Sequence, residues 1–127
     1  MNKLEEWEER LYTLLREIDG ALEDKYGKLY PLHPARPQRG ETANPQYDGL
    51  FRITASYSAG YGSNLCPGYI FRVELVTFEM VPDTVRQTIE AEAIQMAEDG
   101  LKRIFPEREL SIARDGNVIK IYGDLSL

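Results

Sequence analysis

The feature that most constrains this chain is its opening apolar stripe, in which Leu4, Trp7, Leu11, Leu14, Leu15, Ile18 and Leu22 recur at three- and four-residue steps. That period matches the turn of an α-helix, so the residues share one face and need a second apolar surface to cover them. The spacing predicts a helix over about residues 2–26. Acids crowd its first turns, where the helix dipole favours them, and Gly27 is placed to close it in a left-handed cap. Asp19-Gly20 is the weak point, since an interior glycine costs about 1 kcal/mol relative to alanine, and a kink or early end is the alternative there.

A second stripe, Val85, Ile89, Ala93, Met96, Ala97, Leu101 and Ile104, repeats this period. Pro82 and Asp83 open it and Pro106 stops it, which predicts a helix over about 82–105. Elsewhere the period is two. Over residues 50–57, Phe51, Ile53, Ala55 and Tyr57 alternate with Arg52, Thr54 and Ser56; over 69–79, Phe71, Val73 and Leu75 point one way and Arg72 and Glu74 the other. These segments read as one hairpin, 50–79. Val76 and Phe78 break its phase, which predicts a bulge, a twist, or cover on both faces near the end. A second hairpin over 109–122 turns at Asp115-Gly116-Asn117, a strong short-range turn signal.

The order α-β-β-α-β-β specifies an α+β fold, a two-layer α/β sandwich with two helices on one face of a four-stranded, mostly antiparallel sheet. A chain of 127 residues suits a single domain, 1–127, that buries roughly two-thirds of its extended surface. The helices cover one sheet face. The other, bearing Arg52, Thr54, Ser56, Arg72 and Glu74, must meet solvent, a second subunit, or the arm at 28–48. That arm carries Pro31, Pro34, Pro37 and Pro45, which remove backbone donors and break regular structure. Its length makes it either functional or packed down by Leu29, Tyr30, Leu32 and Tyr47. Within it, Asn44-Pro45-Gln46-Tyr47 reads as a turn leading into the first strand.

Charge excludes some functions. With 15 Lys and Arg against 21 Asp and Glu, the net charge is −6, which opposes binding to nucleic acid or an anionic membrane surface. No segment approaches the ~18 apolar residues needed to cross a bilayer. Glu5, Glu6, Glu8 and Glu9 stand where a signal peptide needs an apolar run, and Cys66 is the sole cysteine, so a cytoplasmic location is expected. One His and one Cys offer no paired metal-ligand spacing, and no cofactor motif is present.

Four sets of residues are candidates for function. Arg36 and Arg39 on the arm and Arg52 on the first strand could close an anion pocket floored by Thr54 and Ser56, since guanidinium forks grip carboxylate or phosphate in pairs. Each also has a local partner in reach: Glu74 for Arg52, and Glu41 or Asp48 for Arg39. His33 is the only imidazole available for acid–base work, and with Cys66 the only nucleophile pair. The glycine-rich loop around Gly60, Tyr61 and Gly62 joins two strands rather than a strand and a helix, which fits a plain hairpin loop or a ligand contact. Tyr47, Tyr57, Tyr61 and Tyr69 gather near the first hairpin, and tyrosine is favoured at interfaces. The sequence thus supports a non-enzymatic binding or adaptor domain that engages a protein partner or its own copy, with a homodimer expected. The alternative is an enzyme or small-anion-binding protein built on the arginines.

Overall fold

The computed structural model describes residues 2–59 and 67–126. Helix α1 spans Lys3–Tyr26. It starts where the Asn2 side chain accepts a hydrogen bond from the Glu5 amide at 2.8 Å, satisfying one of the donors a helix leaves open at its N-terminus. It runs unbroken through Asp19-Gly20, because burial of its stripe outweighs the cost of one glycine. Trp7, Leu11, Leu14, Leu15, Ile18 and Leu22 are buried, whereas Leu4 is left 45% exposed. Gly27 ends the helix with φ −59°, not in the left-handed cap expected of it. A Cβ there would clash with the Glu23 backbone carbonyl oxygen, so close approach to the last turn of the helix is what requires the glycine.

Strand β1, Phe51–Ser58, pairs antiparallel with β2, Gly68–Leu75, in a register running from Phe51 opposite Leu75 to Ser58 opposite Gly68. Helix α2, Asp83–Ile104, leads to β3, Leu110–Asp115, and β4, Val118–Gly123. Gly116 turns the second hairpin at φ +64°. The sheet order is β1-β2-β4-β3, antiparallel throughout, and among the described residues β2 meets β4 from Tyr69 opposite Ile121 to Phe71 opposite Ile119. The α+β order and four-stranded sheet follow the sequence reading. On the inner face Phe51, Ile53, Phe71, Val73, Ile119 and Ile121 are buried with the two helical stripes.

Strand β2 ends at Leu75, short of the expected Glu79. The Val76 amide donates to the Leu50 carbonyl at 2.7 Å, the Val76 carbonyl accepts from the His33 amide at 2.9 Å, and Thr77 Oγ1 donates to the Pro31 carbonyl at 2.6 Å. The arm takes over the pairing, so the phase break at 76–78 marks a strand end rather than a bulge. The arm itself contains one element, a 3₁₀ turn at Pro45–Tyr47, where the Asn44 side chain accepts from the Gln46 amide at 3.0 Å.

The helices touch closely at Gly100, where a Cβ would clash with Leu14 Cδ1. Leu14 and Ile89 are both buried in this layer. Leu14→Ala and Ile89→Ala are each expected to destabilise the fold by about 2–4 kcal/mol through lost burial and the cavity left behind. Urea denaturation checks this. Losses within about 0.5 kcal/mol, the range of surface substitutions, would contradict the two-helix cover.

Candidate functional site

The arm is folded back on its own chain by a partly buried network of charges, in which Asp19 and Asp48 are buried and Arg39 is exposed. Arg36 donates to four backbone carbonyls: Nε to Gly49 at 3.0 Å, and Nη2 to Gln46 at 2.8 Å, Asp48 at 3.1 Å and Phe51 at 3.0 Å. Arg39 Nη1 lies 2.6 Å from Asp19 Oδ1 on α1 and 3.5 Å from Asp48 Oδ1. Asp48 Oδ2 accepts from the Gly40 amide, the Thr42 amide and Thr42 Oγ1 at 3.2, 3.1 and 2.9 Å. The Glu23 carboxylate accepts from the Leu50 and Phe51 amides, so α1 holds the start of β1.

Of the three arginines singled out in the sequence, Arg36 and Arg39 therefore meet in this network, while Arg52 pairs with its cross-strand partner Glu74 at 2.5 Å on the outer sheet face. All three guanidiniums face acceptors of the protein itself. Thr54 is half-buried and Ser56 exposed on that outer face, and neither joins the Arg36–Arg39 network. His33 Nδ1 accepts from the Ala35 amide at 3.0 Å, and its ring packs on Phe78 at 4.1 Å between centroids. Tyr61, the glycines at 60 and 62, and Cys66 lie outside the described residues.

Burial pushes Asp19 up to about 6, against the pull of Arg39. Burial also works to raise Asp48, but its bonds from Thr42 and Gly40 and the charge of Arg39 hold that carboxyl below the usual range. Arg36 is lowered by burial first and then by the nearby Arg52 charge. A raised carboxyl binds its proton more tightly folded than unfolded, so ionised Asp19 opposes folding at neutral pH. As pH falls from 7 through about 6 toward 4.5, wild type should gain stability relative to Asp19→Asn, by on the order of 1–2 kcal/mol. Asp48 acts in the opposite sense only near and below its unfolded value, because its stabilisation is lost as the group protonates. Denaturation midpoints of both proteins across this window check the sign, and a difference independent of pH would refute it.

A different surface is open. Strand β1 is an edge strand, and no strand among the described residues pairs with its outer side. The arm covers the first part of that edge: Arg36 binds the Phe51 carbonyl, and Asn44, Pro45 and Gln46 line a crevice with Tyr12, Leu15 and Ile53. Beyond it, between α1 and residues 55–57, lies a groove of about 210 Å³ lined by Glu8, Leu11, Tyr12, Leu15, Ala55, Tyr57 and Tyr69. The Trp7 indole N–H donates to the Tyr69 hydroxyl at 2.9 Å, which fixes that ring. Tyr57 meets Tyr69 edge-on at 5.8 Å and 75°, yet stays 63% exposed, and Tyr12 is 48% exposed. Of the ligand residues singled out in the sequence, Tyr57 lies in this groove. Tyr12 and Glu8 were missed. The signal for Tyr12 was an aromatic directly beside the α1 stripe, on the flank where polar residues are the norm.

A family model described as "Uncharacterised protein" matches residues 2–123. A curated protein from Borreliella burgdorferi, also described as "Uncharacterized protein", is 39% identical over 123 residues, covering 97% of this chain and 96% of that protein. The chain belongs to this family. Its matched span takes in every element from α1 to β4, so both walls of the groove lie inside the family region. No solved structure matches the chain. Among the described residues, no helix is long and apolar enough to cross a membrane, and no group of His, Cys, Asp or Glu converges as metal ligands would.

Proposed function

We propose that this chain is a non-enzymatic, cytoplasmic binding domain whose α1–β1 groove receives an extended segment of a partner protein. One observation carries the reading: the outer edge of β1 at residues 55–57 is unpaired among the described residues, beside exposed Tyr12 and Tyr57 over an apolar floor. An open strand edge presents backbone N–H and C=O groups to an incoming strand, and a groove alongside supplies pockets for its alternate side chains. Tyrosine suits the rim, with an apolar body and a wet tip. The competing anion-clamp reading draws no support from the arginines, which are engaged by internal acceptors.

Selection of displayed peptides on the immobilised full chain tests the proposal. Enriched peptides should compete with one another and lose binding to the Tyr12→Ala/Tyr57→Ala variant, whose stability should change by no more than about 1 kcal/mol given the exposure of both residues. No enrichment, or binding indifferent to that variant, would overturn it.

Self-association is favoured by a separate observation. The sheet ends in β1 and β3, whose outer edges have no strand partner among the described residues. Because the arm is bound to its own chain, a homodimer would form by edge pairing rather than arm exchange. Sedimentation equilibrium at micromolar concentrations should then report a dimer, and a single 14.5 kDa species throughout would exclude it.

A further inference from the structure

We infer that the segment received by the α1–β1 groove is basic, carrying an apolar and a cationic side chain two residues apart on the side facing α1. This rests on the groove reading and adds the chemistry of the partner. Glu8 belongs both to the groove and to the adjoining surface of α1, lined by Glu5, Glu9, Tyr12, Thr13 and Arg16. Several acids elsewhere on the helices are engaged, Glu17 by Arg103, Glu23 by the Leu50 and Phe51 amides, Glu90 by Arg114, and Glu92 by Lys25 and Tyr26, whereas Glu6, Asp24, Asp83 and Glu98 do not line the groove. The carboxylates of Glu8 and Glu9 take no hydrogen bond or ion pair from any described residue. Arg16 is the cation lining this surface, and it sits 6.0 Å from the Tyr12 ring centroid, where that ring already holds a guanidinium.

Geometry sets the order of contacts. Helix α1 runs antiparallel to β1, with Trp7 bonded to Tyr69 at one end and Glu23 to Leu50 at the other. An extended segment laid on the edge of β1 would drop one side chain toward Leu11, Leu15 and Ala55. The next side chain on the same face would reach Glu8 and the rings of Tyr12 and Tyr57. A cation there gains both carboxylate and aromatic contact. A second copy of this chain fits this groove less well, because two-fold pairing along β1 would bring the same acids face to face, which leaves the edge of β3 for self-association.

The test titrates the ¹⁵N-labelled full chain with three blocked hexapeptides, Thr-Leu-Thr-Arg-Thr-Arg and its Gln and Glu counterparts at the Arg positions, beside a dilution series of the protein alone. The Arg peptide should shift the amides of Tyr12, Ala55 and Tyr57 and bind about tenfold tighter than the Gln peptide at low salt, with the ratio shrinking as salt screens the acids. Glu8→Gln should reduce that ratio several-fold and leave the Gln peptide unchanged. If all three peptides bind the groove equally, the basic partner is overturned while the groove stands. If no peptide shifts these amides, or if only dilution does, the groove reading falls with it, and in the second case a second copy is the occupant.

Discussion

Arg36→Ala should lower the folding free energy by about 3–5 kcal/mol, although no apolar core residue is touched. The guanidinium serves the carbonyls of Gln46, Asp48, Gly49 and Phe51, and its removal strands these acceptors at the point where the arm joins β1. Each buried acceptor left without a partner costs roughly 1–3 kcal/mol, and water entering the vacated space recovers part of the sum. Arg36→Lys should recover less than half, since an ammonium on a flexible stem presents three donors from a point, not a planar fork of five. Urea denaturation with an unchanged m-value measures the loss. Amide exchange over residues 36–51 should quicken together, because one side chain ties that whole segment down. A loss under about 1 kcal/mol would show that the arm is held by its apolar contacts instead.

Phe71→Ala is expected to cost about 3–5 kcal/mol, by a different cause. Phe71 is buried on the inner face, opposite Ala55 on β1 and Ile119 on β4. It stands at the seam where the two hairpins join, a seam held among the described residues by three facing pairs, Tyr69–Ile121, Ile70–Lys120 and Phe71–Ile119. Truncation leaves a cavity between the sheet and the helices that rigid neighbours fill only in part. Phe71→Leu should cost far less, because it keeps most of the volume. Denaturant midpoints for the two variants decide the matter, and equal losses would point to ring contacts rather than volume as the cause.

These two residues differ in how far the sequence reveals them. Phe71 declares itself through alternation with Arg72 and Val73, a repeat readable from its neighbours alone. Arg36 gives no such signal: together with Arg39 and Arg52 it suggested an external anion, whereas its acceptors are carbonyls of its own backbone. Asp19 was visible only as an acid beside a helix-weakening glycine, yet it is buried against Arg39. In the groove, Tyr57 was legible from its place on β1 and the clustering of tyrosines. Tyr12 was not, because it becomes a groove wall only when β1 is laid against α1.

The sequence by itself determined the order of elements, the faces that Leu14, Ile89 and Phe71 bury, and the turn at Gly116. Those properties repeat along the chain at 3.6 or 2 residues, and burial by face needs no knowledge of what lies opposite. Only the tertiary structure decided where β2 stops, which acceptors take Arg36 and Arg39, and that among the described residues no strand pairs with the edge of β1 beside Tyr12. Each of these depends on charges and backbone groups far apart in the chain, Asp19 with Arg39 or His33 with Val76. Such pairings carry no period. They exist once the core has brought their partners within bonding distance in a medium that makes an unpaired polar group costly.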